Sequence, residues 1–74
     1  MLDVYSKNDC RQCDMVKKFL NREGIPFTEV NITNSQVDID WLKEQGYSSV
    51  PVTFKDSELV CVGFRPDLLK KTLS

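Results

Sequence analysis

Two cysteines separated by two residues are the part of this sequence best suited to chemistry. Cys10 and Cys13 follow a short run of β-forming residues and stand at the start of a segment with helical periodicity. Side chains three residues apart lie on the same side of a helix, so the two sulfurs can reach disulfide distance without a change in the backbone. The spacing therefore predicts a redox-active pair.

The two cysteines are predicted to have different roles. Backbone N–H groups and the positive end of the helix dipole stabilise a thiolate at Cys10, and Lys7 and Arg11 add positive charge nearby. Cys13 lies one turn further in, on the apolar side of the helix, where it should be less exposed and less ionised. We expect Cys10 to be the nucleophile, with a pKa below that of an ordinary cysteine, and Cys13 to be the resolving thiol.

Composition excludes several classes of protein. The 74 residues include ten basic and eleven acidic side chains, so the chain lacks the basic surface that nucleic acids or anionic membranes require. No apolar run is long enough to cross a bilayer, and the N-terminal residues do not form a signal pattern. Three cysteines are too few for the disulfide framework of a small secreted domain. We expect one domain over residues 1–74, monomeric and cytoplasmic.

A C-x-x-C motif also occurs in zinc sites, which need four ligands. With no histidine and only Cys61 to add, this chain does not supply them, so we expect no bound metal. The lack of histidine also removes the Cys–His pair of thiol hydrolases. An interaction module whose cysteines only staple the helix start remains open as a non-enzymatic alternative.

Hydrophobic periodicity predicts the elements that position the cysteine pair. Strands are expected over residues 2–6, 27–32, 50–54 and 58–62, and helices over residues 10–23, 35–45 and from residue 66 onward. The order β-α-β-α-β-β-α, with C-x-x-C after the first strand, predicts an α/β thioredoxin-like fold in its smallest form. Its four-stranded mixed sheet should carry helices on both faces.

Three finer expectations concern single elements. The apolar side of the first helix should comprise Cys13, Val16, Phe19 and Leu20, and that of the second should include Val37, Trp41 and Leu42. Cys61 should pack in the last strand as a small apolar residue. Val50 and Pro51 should lie beside the thiols, where the Val50 backbone is available to an extended substrate segment.

Five separated stretches resemble the NrdH-type redoxins, which are glutaredoxin-like members of the thioredoxin superfamily. The stretches are Val4-Tyr5-Ser6-Lys7, Cys10-Arg11-Gln12-Cys13, Gly24-Ile25-Pro26-Phe27, Ser49-Val50-Pro51-Val52 and Gly63-Phe64-Arg65-Pro66-Asp67. The likeness covers essentially the whole chain. Two positions depart from the family: Cys61-Val62 stands where Trp-Ser is general, and Arg11 stands where valine or methionine is more usual.

The resemblance implies a thiol-disulfide oxidoreductase that donates electrons to a class Ib ribonucleotide reductase, through the cysteine-bearing tail of its large subunit. It implies no bound cofactor, because electrons pass from NADPH through a flavoprotein, thioredoxin reductase, to the Cys10–Cys13 disulfide. The residues expected to contact a substrate or partner are Lys7, Arg11, Gln12, Val50, Pro51, Gly63, Phe64 and Arg65.

Glutathione-dependent glutaredoxins, acting as general protein disulfide reductases, are the main alternative. They usually carry Gly-Gly followed by an acidic residue in the stretch where this chain has Gly63-Phe64-Arg65-Pro66-Asp67, and those residues hold glutathione; here Phe64 replaces the second glycine. We expect Phe64 to obstruct a close approach of glutathione to the backbone. A subunit-bridging iron–sulfur cluster, which some glutaredoxins form with glutathione, is a further alternative and needs the same site.

Overall fold

All the predicted elements are present in the computed structural model, which describes the backbone of residues 1–73 and the side chains of residues 1–72. The strands are β1 (Leu2–Ser6), β2 (Phe27–Asn31), β3 (Val52–Lys55) and β4 (Glu58–Val62), and the helices are α1 (Arg11–Arg22), α2 (Gln36–Glu44) and α3 (Pro66–Lys70), with a short 3-10 helix at Lys71–Leu73. The ends of the elements differ from the predicted ends by at most two residues.

The four strands form one mixed sheet in the order β2-β1-β3-β4. β1 runs parallel to β2 and antiparallel to β3, and β4 runs antiparallel to β3. The parallel pair is joined through α1, as a crossover connection requires. This arrangement confirms the predicted thioredoxin-like fold.

The main core lies between one face of the sheet and the helices α1 and α3. The buried residues of α1 are Cys13, Val16, Phe19 and Leu20, which confirms the predicted apolar side of that helix, and the last three belong to this core. The sheet, the α1–β2 loop and α3 complete the core with Leu2, Val4, Ile25, Cys61 and Leu69. The helix that begins beside Cys10 is therefore anchored along its whole length.

Among the described residues, the opposite face of the sheet carries α2, and the predicted apolar side of this helix was right for Leu42 and wrong for Val37. Leu42 is 3% exposed and packs with Val52 and Phe54, whereas Val37 is 80% exposed and Trp41 is 38% exposed. At about 100° per residue, Val37 and Leu42 are roughly 140° apart around the helix and cannot both face the sheet. Trp41 lies at the edge of the contact.

The β3–β4 hairpin turns more tightly than the three-residue turn predicted for residues 55–57. Lys55 still belongs to β3, and the turn consists of Asp56 and Ser57, whose φ angles are 49° and 72°. Positive φ at both central residues is the geometry of a two-residue hairpin turn. Val50 and Pro51 precede β3 rather than opening it.

Within the part of the chain that the structure describes, no helix is both long enough and apolar enough to cross a bilayer.

Candidate active site

Cys10 is the N-cap of α1 rather than its first helical residue. Its backbone is extended, with φ −114° and ψ 107°, and its sulfur accepts a hydrogen bond from the Cys13 backbone N–H at 3.2 Å. The side-chain oxygen of an N-cap residue ordinarily accepts a hydrogen bond from the backbone N–H two or three residues later in the chain. The Cys10 sulfur therefore caps α1 in the way that such an oxygen usually does. In the reduced protein the same N–H favours the Cys10 thiolate.

The two sulfurs form a disulfide and are unequally exposed. The Cα atoms of Cys10 and Cys13 are 5.2 Å apart, within the usual range for a disulfide. Cys10 is partly exposed, whereas Cys13 is 0% exposed and belongs to the buried side of α1. Of the two, only Cys10 is accessible to a disulfide on another protein.

The loop before Cys10 is held by polar contacts with the end of β2. The Asn8 backbone N–H donates to Thr33 Oγ1 at 2.8 Å, and Asn31 Nδ2 donates to Asn8 Oδ1 at 2.9 Å. Asp9, next to the cysteine, has φ 56°, a left-handed conformation that aspartate and asparagine tolerate better than most residues. Sequence reasoning missed these contacts because their partners are more than twenty residues apart in the chain.

An open groove of about 360 Å³ surrounds Cys10. Six of the residues singled out from the sequence line it: Lys7, Cys10, Arg11, Gln12, Val50 and Gly63. Ser49 and Val62 also line it and were not predicted as site residues. The groove thus combines two cationic side chains with an apolar wall beside the accessible sulfur. We name it the redox groove.

Three of the residues expected at the site do not line the redox groove. Pro51 is buried, and Phe64 is partly buried against the main core, where it packs edge-on against Phe19 with 6.1 Å between ring centroids. The guanidinium of Arg65 pairs with the Asp67 carboxylate at 3.1 Å. Phe64 therefore does not obstruct the redox groove, and Arg65 does not extend its cationic rim. Sequence spacing could not show that these side chains turn away from Cys10.

Gly63 and Gln12 both line the redox groove. The Gly63 N–H donates to the Pro51 carbonyl at 2.8 Å, and the Val50-Pro51 peptide bond is cis. Gly63 has φ 80°, and a Cβ atom added there would lie 3.3 Å from Gln12 Oε1. Glycine is thus favoured at position 63 by its backbone conformation, and a Cβ atom there would in addition make a tight contact with the Gln12 side chain.

An ionic contact ties α1 to the sheet near the groove. Glu29 Oε2 accepts hydrogen bonds from Lys17 Nζ at 2.8 Å and from the buried Ser6 hydroxyl at 2.6 Å. Lys17 also lies 3.6 Å from Asp14. The Lys17 hydrogen bond lowers the pKa of Glu29 and raises the pKa of Lys17. Lys17 therefore joins two elements of the fold, α1 and β2.

Among the described residues, no three His, Cys, Asp or Glu side chains are grouped so that they could hold a metal ion.

Comparison with known proteins agrees with this geometry. The family model of the glutaredoxins matches residues 2–60. The glutaredoxin-like protein NrdH of Lactococcus lactis subsp. cremoris is 44% identical over 71 residues, which are 96% of this chain and 97% of that protein. This chain belongs to the NrdH-type redoxins of the glutaredoxin family. The NrdH protein of Escherichia coli is 30% identical, over 95% of this chain and 85% of its own length.

Structural comparison gives the same family. The solved structure of Escherichia coli NrdH-redoxin superposes with a TM-score of 0.87 at 28% identity, covering 95% of this chain and 91% of that one. The chain is thus a thiol-disulfide oxidoreductase, and the Cys10–Cys13 disulfide is its redox-active group.

One residue of this redoxin has no part in the redox groove although it is a cysteine. Cys61, which replaces the tryptophan usual in NrdH-type proteins, is 3% exposed and belongs to the main core, as predicted. Burial raises the pKa of its thiol. Its sulfur lies 3.9 Å from the Gly63 carbonyl oxygen. Cys61 therefore behaves as a small apolar residue that packs behind the groove.

Proposed function

We propose that this NrdH-type redoxin carries electrons from NADPH, through thioredoxin reductase, to a class Ib ribonucleotide reductase in the cytoplasm. The observation that carries the proposal is the likeness, over nearly the whole chain, to Escherichia coli NrdH-redoxin. That protein is described as a glutaredoxin-like protein with a thioredoxin-like activity profile. The acceptor in this proposal is a disulfide in the cysteine-bearing tail of the reductase large subunit.

The groove geometry supports the order of the chemical steps. The Cys10 thiolate attacks one sulfur of the partner disulfide, and the other partner sulfur leaves as a thiolate and takes up a proton. Cys13 then loses its proton and attacks the Cys10 sulfur, which releases the second partner thiol. Two electrons have passed to the partner, and the chain is left as its Cys10–Cys13 disulfide, the form seen here.

The stretch that follows Gly63 also supports thioredoxin reductase over glutathione as the electron source. Glutaredoxins that use glutathione usually carry Gly-Gly followed by an acidic residue in the stretch that corresponds to Gly63-Phe64-Arg65-Pro66-Asp67. An acidic side chain there attracts the ammonium group of glutathione, but in this chain the Asp67 carboxylate is already paired with the Arg65 guanidinium at 3.1 Å. Since Phe64 packs against the core and does not line the groove, this neutralised carboxylate, and not the bulk at position 64, is the reason to expect poor use of glutathione.

A coupled assay tests the electron source. Reduction of a disulfide substrate is followed by NADPH oxidation, with thioredoxin reductase in one arm and with millimolar glutathione and glutathione reductase in the other. We expect the first arm to be faster by about ten-fold or more, a difference of about 1.4 kcal/mol in barrier. If glutathione is the faster donor, the proposal is wrong.

A charge-reversal variant sharpens this assay. Arg65→Glu should raise the rate with glutathione several-fold, because it frees the Asp67 carboxylate from its ion pair and adds a second acidic side chain beside it. Lys70→Glu makes the same charge change on exposed α3, outside the groove, and should leave the ratio of the two arms unchanged. If the two variants change the rate with glutathione equally, the net charge of the protein, and not the side chain at position 65, determines which electron donor it uses.

A further inference from the structure

A second cavity opens beside the redox groove, on the α2 side of the sheet. It has a volume of about 180 Å³, and its apolar lining consists of Ile32, Ile39, Leu42, Tyr47 and Val50. Lys7, Ser49 and Val50 line both this cavity and the redox groove, so the two are adjacent. We name the second cavity the side pocket.

The side pocket presents apolar surface that the protein does not itself cover. Ile32, Ile39, Tyr47 and Val50 are each only partly buried. The volume corresponds to roughly six water molecules of the liquid, which is on the order of one large apolar side chain. An apolar side chain that displaces this water gains free energy in proportion to the area it covers.

Two lysines stand at the rim of the side pocket. Lys7 and Lys43 both contribute to its lining and are exposed. Neither takes part in the ion pairs formed within residues 1–72. The rim therefore favours an occupant that carries a carboxylate close to its apolar side chain.

We propose that the side pocket holds an apolar side chain of the protein substrate, within about two residues of the cysteine that Cys10 attacks, with an acidic residue beside it. An extended chain advances about 3.3 Å per residue, so a neighbour of the reacting cysteine reaches across Val50 from the redox groove. Glutathione has no apolar side chain and leaves the side pocket empty. The inference rests on the proposed function only in taking a protein disulfide as the substrate.

A set of short peptides tests the inference without any partner protein. Each peptide carries one cysteine in disulfide linkage with 5-thio-2-nitrobenzoate. The dithiol form of the protein supplies two electrons: the Cys10 thiolate displaces one thiolate, and Cys13 releases the other. The products are the peptide thiol, the coloured thionitrobenzoate anion and the Cys10–Cys13 disulfide, so the colour measures the reaction.

The first measurement uses the native protein alone. One leucine is placed two or one residues before, or one or two residues after, the cysteine of an otherwise serine-containing peptide. We expect at least one position to raise kcat/KM about ten-fold over the all-serine peptide, the lower end of what an apolar pocket discriminates. If every leucine peptide reacts within three-fold of the serine peptide, the inference is overturned, whatever the variants do.

The second measurement compares two substitutions on α2. Ile39→Asn makes the side pocket polar and should reduce the leucine preference to about two-fold or less, while the all-serine peptide keeps its rate. Val37→Asn is the matched control, because Val37 lies two residues away, is exposed and is outside the side pocket. Preserved leucine preference in Ile39→Asn contradicts the inference.

The third measurement concerns the rim. Glutamate next to the favoured leucine should raise the rate by about two- to five-fold over glutamine, and the gain should fall with added salt, as for an exposed ion pair. Lys43→Gln should remove most of this gain, and Lys70→Gln on α3 should not. A gain that survives Lys43→Gln would show that the acidic residue binds elsewhere.

The peptide assay and the electron-source assay fail independently. If the protein prefers leucine peptides but accepts electrons faster from glutathione, the inference about the side pocket stands and the proposed function is wrong. If the protein uses thioredoxin reductase and shows no leucine preference, the proposed function stands and the inference about the side pocket is wrong.

Discussion

The two faces of the sheet in this redoxin are packed to different degrees. On the α1–α3 face, eight described residues form one buried cluster; on the α2 face, three do, and aromatic side chains at the edge stay partly exposed. Tyr5 and Trp41 stack there with 5.4 Å between centroids, and Trp41 remains 38% exposed. More burial holds α1 more firmly than α2, since stabilisation grows with the apolar area removed from water.

The difference corresponds to two tasks in disulfide exchange. The sulfur of Cys10 must keep its hydrogen bond with the Cys13 N–H, and α1, which provides that N–H, is the firmly packed helix. Partner recognition needs apolar surface that is still open, and the α2 face provides it as the side pocket. We name the α1–α3 face the firm face and the α2 face the open face, and the difference between them can be tested as follows.

The largest effect is expected at the two cysteines of the firm face. Cys13→Ser should leave the attack intact and trap a mixed disulfide with an oxidised protein such as insulin, because the resolving thiol is missing. Cys10→Ser should trap nothing, since Cys13 is 0% exposed. Non-reducing gels separate the products. Equal trapping by the two variants would mean that the assigned roles are wrong.

The next prediction compares one buried leucine from each face. Leu20→Ala in α1 should lower the free energy of unfolding by about 3–5 kcal/mol, and Leu42→Ala in α2 by about 2–3 kcal/mol. Leu42 already borders the side pocket, so its removal enlarges an open space instead of leaving a closed cavity. Urea unfolding measures both. A cost at Leu42 equal to that at Leu20 would contradict the difference in packing.

The third prediction concerns the start of α1. In the reduced protein the Cys10 thiol should have a pKa below that of an ordinary cysteine, because the Cys13 N–H and the helix dipole favour its anion. Ultraviolet absorbance of the thiolate against pH measures this, and the Cys13→Ser variant isolates the signal of Cys10 from that of its neighbour. A Cys10 pKa at or above about 8.5, the ordinary value, removes the basis for naming it the nucleophile.

The smallest effect is expected where α1 is tied to β2. Lys17 lowers the pKa of Glu29, so this carboxylate stabilises the fold above its unfolded-state pKa, and the stabilisation is lost as pH falls through the lowered value. Because Glu29 is about one-third exposed, the contribution should be about 1 kcal/mol or less. The Glu29→Gln variant should therefore lose less stability than the native protein as the pH falls from neutral to acid, as measured by urea unfolding at each pH.

A matched variant on the open face controls for the change of charge. Glu44→Gln removes one exposed carboxylate from α2, and its urea midpoint should follow that of the native protein from neutral to acid pH. If both variants reduce the loss of stability at acid pH to the same extent, the change in net charge, and not the Lys17 contact, is responsible.

Several features followed from the sequence by itself. The pairing of Cys10 with Cys13, the apolar side of α1 and the start of α3 at Pro66 were all predicted correctly. Each depends on residues close together in the chain: helical periodicity over twelve residues, a proline suited to the first helical position, and two thiols three residues apart. Local chemistry is enough to determine features of this kind.

Other features were decided only by the tertiary structure. Phe64 turns into the main core and Arg65 toward Asp67, while Ser49 and Val62 reach the redox groove. Side-chain direction at the end of a strand depends on what the neighbouring helix leaves room for, and spacing along the chain does not contain that information.

The same holds for α2 and for the contact between Lys17 and Glu29. The nine residues of α2 have apolar side chains on more than one side, so the sequence does not specify which side is buried. Packing against the sheet buries Leu42. Lys17 and Glu29 are brought together only by the crossover that lays α1 against the parallel strands β1 and β2. Pairings between residues distant in sequence depend on how the elements pack, because no local pattern links the two partners.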